Sequence, residues 1–115
     1  MSDLSSLAKK VIAFRDERDW KQFHNPKDVA LSLMLEAAEV MEVFQWKEGD
    51  SIRETAAGKK AELAEELADV FYYTLLMAHD LQIDLAAALT AKLAKNAEKY
   101  PADKARGSNK KYTEL

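Results

Sequence analysis

An all-α fold, an antiparallel four-helix bundle, is what the 115-residue sequence predicts, on three observations. Apolar residues recur at spacings of three and four along most of the chain, the helix period. Ala, Leu, Glu and Lys dominate, and all four favour helices. Only three Gly and two Pro interrupt the pattern, and no segment alternates as a strand would. Four long helical segments joined by short breaks then call for a bundle.

The first helix is predicted over 3–18, where Leu4, Leu7, Ala8, Val11, Ile12 and Phe14 share a stripe. A polar and aromatic segment, 19–26, follows and closes on a helix start. Asn25 suits the N-cap and Pro26 the first helical position. The second helix, over about 26–46, is apolar almost all round, which makes it central or covered by another subunit. Gly49 is the expected stop, and Ser51 with Glu54 has capping-box spacing for a short helical turn. Gly58 interrupts before a third helix over 59–81. Asp84 caps a fourth helix over 85–99, which Pro101 ends. Residues 102–115 are polar and aperiodic, and are expected to be a mobile tail or an arm onto a partner. The domain organisation is therefore one helical domain, 1–101, and a tail, 102–115.

Composition excludes several classes. The net charge of −3, with no basic block, speaks against binding a nucleic-acid polymer. The absence of cysteine removes disulfides, thiolate zinc sites and cysteine nucleophiles together. No long apolar run follows a basic start at Met1–Leu7, and the run from Val70 to Ala78 is too short to span a bilayer. The expectation is a cytoplasmic protein without a membrane segment.

Two acidic pairs stand out. Glu36 and Glu39 lie among Leu33, Met34, Leu35, Val40 and Met41, and Glu66 and Asp69 lie among Leu67, Val70 and Phe71. A spacing of three puts each pair on one helix face, so two apolar helices would both turn carboxylates inward. If the helices face each other, four carboxylates converge, and only a cation or protons make that tolerable. Oxygen-only ligands point to Mg2+, or to Mn2+. A di-iron bundle would need Glu-x-x-His pairs, and His24 and His79 lie far from these acids in the sequence. The plainer readings are solvated surface charge, which suits Glu48, Glu62 and Glu65, or acids salt-bridged across the bundle.

Glu36-x-x-Glu39, a gap, then Glu66-x-x-Asp69 on two helices resembles the signature of the MazG-like nucleoside triphosphate pyrophosphohydrolases, of the all-α NTP pyrophosphatase superfamily. The resemblance extends to Phe14–Trp20 with Phe23-His24, to Phe44-Gln45-Trp46, to Glu65–Val70 with Tyr73, and to Lys95–Pro101. It covers about 10–101 and is close to the small single-domain branch that includes dCTP pyrophosphatase.

The resemblance implies cleavage of a (d)NTP between the α and β phosphates, giving (d)NMP and pyrophosphate. It implies a preference for dCTP-like deoxynucleotides and a role in nucleotide-pool house-cleaning. All-α dUTPase-like or phosphoribosyl-ATP pyrophosphohydrolase activity is the alternative within the superfamily, and a non-catalytic helical interaction protein the alternative outside it. Glu36, Glu39, Glu66 and Asp69 would be the metal ligands, with Glu39 or Glu36 the catalytic base; the sequence does not separate the two roles. Trp20 and Trp46 are candidates to sandwich the base, or are core. His24 contacts the base or sugar, or is an ordinary loop histidine. Tyr73, one turn past Asp69, faces the same way and is a candidate to position the sugar, whereas Tyr72 points elsewhere and reads as core. Lys95, Asn96 and Lys99 would hold phosphates and Arg15 would reach the substrate; without the family pattern, such residues form a solvated face. His79 reads as structural.

The second helix carries more apolar surface than one small bundle hides, so a homo-oligomer is expected, a dimer or, by preference, a tetramer.

Overall fold

The computed structural model describes residues 3–115, and helices are the regular elements among them. They are α1 (Leu4–Glu17), α2 (Pro26–Glu42), α3 (Asp50–Gly58), α4 (Lys60–Asp80), α5 (Leu85–Lys99) and the short α6 (Ala102–Ala105), with 3-10 turns at Lys21–Phe23 and Tyr112–Glu114. The chain divides into two compact units, one reaching Gln82 and the other running from Ile83 to Leu115. The division falls at the turn after α4 and not at the expected 101/102 boundary. Gln82 takes a left-handed backbone there, with φ of 55°.

Side-chain caps start three of the helices. Asp3 accepts from the Ser6 N–H at 2.7 Å, Asn25 from the Asp28 N–H at 2.9 Å, and Asp84 from the Ala87 N–H at 3.0 Å. The second helix ends four residues earlier than its apolar pattern suggested. After Glu42 the chain tightens: Phe44 N–H bonds the Met41 carbonyl at 2.9 Å and Lys47 N–H the Phe44 carbonyl at 3.0 Å. The left-handed residue there is Trp46, with φ of 68°, rather than the expected Gly49. Gly49, at φ of 55°, instead stands at the N-cap of α3. Nor does Ser51 form a box with Glu54; its hydroxyl accepts from the Glu48 N–H and donates to the Glu48 carbonyl.

In the first unit α4 is the common partner, packing along α2 and also against α1 and α3. Its second half carries the core: Leu75, Leu76 and Ala78 are buried together with Val29 of α2 and Val43. Arg15 of α1 is wholly buried there too, and its Nη1 donates to Asp80 Oδ2 at 2.7 Å. That hydrogen bond raises the Arg15 pKa further. Burial pushes the Asp80 carboxyl up, but the Arg15 bond and charge outweigh it and hold the pKa below the ordinary value.

In the second unit the polar segment after α5 is ordered against it. The Tyr112 ring meets Tyr100 edge-on at 6.0 Å, and the Lys99 ammonium lies 4.9 Å from the Tyr112 ring centroid. These contacts join residues 102–115, expected to be a mobile tail or an arm onto a partner, to the end of α5.

Candidate active site

The second half of α2 and the first half of α4 differ from the buried core in chemistry. Glu36 and Glu39 from α2 meet Glu66 and Asp69 from α4, and one oxygen from each lies within 4.8 Å of the others. Spacing of three aligns each pair, and the packing of α2 on α4 brings the pairs together. Glu36 and Glu66 are half-buried, whereas Glu39 and Asp69 are exposed. Among the described residues, no Lys or Arg forms a salt bridge with any of the four.

Without a counter-charge, protons are held. The Glu66 carboxyl is pushed up to about 7, first by hydrogen bonding with Glu39, then by burial and by the charges of Glu39, Asp69 and Glu36. Burial raises Glu36, helped by hydrogen bonding to Glu39 and by the Glu39 and Asp69 charges. Oε2 of Glu36 and Oε2 of Glu66 are buried with no hydrogen-bond partner. Two orphaned oxygens in an all-carboxylate set fit a hard divalent cation, which takes several oxygens and needs no nitrogen or sulfur.

Beside the acids opens a cavity of about 450 Å³. Glu36 and Asp69 form one part of its wall; Trp20, His24, Tyr72 and Tyr73 form another, and α1 adds Lys10, Val11 and Phe14. The aromatic rings brace one another. Phe14 meets Trp20 at 5.9 Å and Tyr72 at 6.0 Å, and Tyr72 meets Tyr73 at 5.0 Å, all edge-to-face. The Arg18 guanidinium caps the group, 3.7 Å above the Phe14 ring centroid. Burial pushes the Tyr72 hydroxyl pKa up, so it stays protonated, and that hydroxyl and His24 Nδ1 are buried without partners.

Of the residues singled out in the sequence, the structure brings Glu36, Glu39, Glu66 and Asp69 together and sets Trp20, His24 and Tyr73 on the adjoining cavity. It does not bring Trp46, which is 90% exposed and lines no part of this cavity. Arg15 is spent on Asp80 and is buried, which corrects its assignment as a substrate contact. Lys95, Asn96 and Lys99 lie on α5 in the second unit, with the two lysines one turn apart. Tyr72 is corrected in the other direction, from core to cavity wall. Lys10 was missed altogether: a lysine on the first helix looks like any solvated lysine until that helix is packed.

The MazG-like family model matches residues 31–115, a span that contains both acidic pairs. This chain belongs to the MazG-like family. Among curated relatives, the MazG-like chain is 44% identical over 119 residues to human (Homo sapiens) dCTP pyrophosphatase 1, covering 97% of this chain and 67% of that protein. It is 39% identical over 114 residues to dCTP pyrophosphatase 1 of Bos taurus, covering 97% of this chain and 68% of that protein. Among solved structures, a pyrophosphatase from Archaeoglobus fulgidus superimposes with a TM-score of 0.82 at 35% identity, covering 88% of the MazG-like chain and 94% of its own.

Proposed function

We propose that this chain is a divalent-cation-dependent nucleoside triphosphate pyrophosphohydrolase that converts (d)NTP to (d)NMP and pyrophosphate, with dCTP-like deoxynucleotides preferred. The observation that carries the reading is the meeting of four unpaired acids, within 4.8 Å, at the edge of an aromatic cavity. A helical interaction protein would neutralise such acids with Lys or Arg, and no such pair forms among the described residues. The two dCTP pyrophosphatases above support the substrate class.

Glu36, Glu39, Glu66 and Asp69 would hold the ion, Mg2+ in the first place and Mn2+ as a substitute. When bound, such an ion offsets triphosphate charge and polarises phosphoryl oxygens. The chain's own residues do the rest. Glu39, exposed to solvent, takes the proton of the water that attacks the α phosphorus, with Glu36 the alternative base. The new P–O bond forms as the bond to the β-phosphate oxygen breaks, and pyrophosphate leaves with that electron pair. Trp20 stacks on the base, while His24 and Tyr73 contact the nucleoside.

Self-association is part of the same reading, as a dimer or a tetramer. Leu31, Met34, Leu35 and Met41 of α2 and Leu67 and Phe71 of α4 are all more than two-fifths exposed, large apolar residues of the kind that self-association covers. Trp46, displayed in the turn after α2, would then serve a neighbouring copy. No helix among the described residues is long and apolar enough to cross a membrane; a cytoplasmic setting suits a nucleotide substrate.

The test is incubation with a panel of nucleoside triphosphates, dCTP and dUTP included, with Mg2+ and with EDTA, and chromatography of the products. Monophosphate plus pyrophosphate, lost with EDTA, is expected. Release of orthophosphate, or no release from any nucleotide, overturns the proposal.

A further inference from the structure

Tyr72 carries a feature that the proposed chemistry does not use. Its ring is clamped by edge contacts to Phe14 at 6.0 Å and to Tyr73 at 5.0 Å, so the position of its hydroxyl is set by packing. The hydroxyl is nonetheless buried and makes no hydrogen bond, and the residue lines the 450 Å³ cavity. Nδ1 of His24, another residue that lines this cavity, is orphaned in the same way. Buried polar atoms are nearly always paired, so two unpaired ones on residues that line a single cavity point to a ligand's polar atoms as their partners. Phe14 touches both Trp20 and Tyr72, which places Tyr72 in the aromatic group and not among the acids. Flat aromatic faces suit a nucleobase, whose in-plane nitrogens and oxygens present donors and acceptors at its edge. A cavity of this volume is of ligand-binding size.

We propose that the Tyr72 hydroxyl is a specificity-determining contact, hydrogen-bonding a polar edge atom of the substrate's base. The inference rests on the proposed nucleotide chemistry and adds what that chemistry leaves open: the site reads hydrogen-bonding groups on the base as well as its flat shape. A base of the right outline but without polar edge atoms leaves the hydroxyl and His24 Nδ1 unpaired and is discriminated against for that reason.

The experiment compares the 115-residue chain with Tyr72→Phe, which keeps the ring and its packing and removes one oxygen. Binding of two non-hydrolysable α,β-methylene triphosphates is followed by tryptophan fluorescence with Mg2+ present. One carries cytosine as the 2′-deoxynucleoside; the other carries difluorotoluene, a pyrimidine-shaped ring with no strong hydrogen-bonding group. Tyr72→Phe should weaken the cytosine ligand about tenfold, the loss of one neutral hydrogen bond, and leave the difluorotoluene ligand within about twofold. An equal change for both ligands, or no change for either, overturns the proposal. Hydrolysis of dCTP by the unmodified chain is measured alongside: its absence, with the binding difference intact, removes the catalytic reading and leaves the Tyr72 assignment standing.

Discussion

Loading the acidic centre with Mg2+ should expel protons, in a number that changes with pH. The Glu66 carboxyl is pushed up to about 7, first through hydrogen bonding with Glu39, then by burial and its acidic neighbours, against an ordinary value of 4.5. A ligand carboxylate must be ionised, so any proton it holds is released on binding. For a single group at that value, about nine-tenths of a proton is bound at pH 6, about half at pH 7 and about a tenth at pH 8. Glu36, raised in the same direction, adds to the release at the acidic end. Calorimetric titration of Mg2+ in buffers of different ionisation enthalpy reads the proton count directly. It should be close to one or above at pH 6 and fall below about a quarter at pH 8, with the apparent affinity rising across that range. Glu66→Gln should remove most of the pH-dependent part. A release that is the same at pH 6 and pH 8 would refute the argument that Glu66 holds a proton in the metal-free chain. The same shift has a stability sign. The folded state binds more protons than the unfolded state between 4.5 and about 7, so the contribution of Glu66 is fully present below 4.5 and lost as pH rises through about 7.

Other expectations follow from single contacts. Glu39→Gln should lower kcat by about a hundredfold or more while nucleotide binding persists, checked by product chromatography and fluorescence titration. Leu76 has no exposed surface, and Leu76→Ala should cost about 2–5 kcal/mol in urea unfolding. Asp80→Ala strands a buried Arg15 and should cost about 3–5 kcal/mol in the same assay, with little effect on the Mg2+ affinity of the folded chain.

The sequence made some of this legible, and physics says which parts. The α5 bounds were visible because they depend on local chemistry: an Asp84 side chain capping a backbone N–H, and Pro101 unable to continue the helix. The acidic pairs were visible because spacing alone decides helix face, and an acid among leucines is anomalous whatever it meets. The end of α2 was not, because Val43 and Phe44 continue the apolar period while the backbone tightens toward a left-handed Trp46. The burial of Arg15 was hidden for a different reason. Its partner lies 65 residues away, and no periodicity reports a contact at that separation. Tyr72 departs from its expected place because side chains about 100° apart on a helix can still meet one wide cavity. A cavity this wide takes both it and Tyr73.

The long α4 also separates two jobs along its length. Its acids occupy the first half, and the tightly held residues Leu75, Leu76 and Ala78 begin nearly two turns later, about 10 Å along the axis from Asp69 to Leu76. Changes near the acids can therefore retune chemistry without loosening the anchor, and a repacked anchor need not disturb the chemistry. A scaffold divided in this way leaves room for its descendants to acquire new substrates by drift at one end of a single helix.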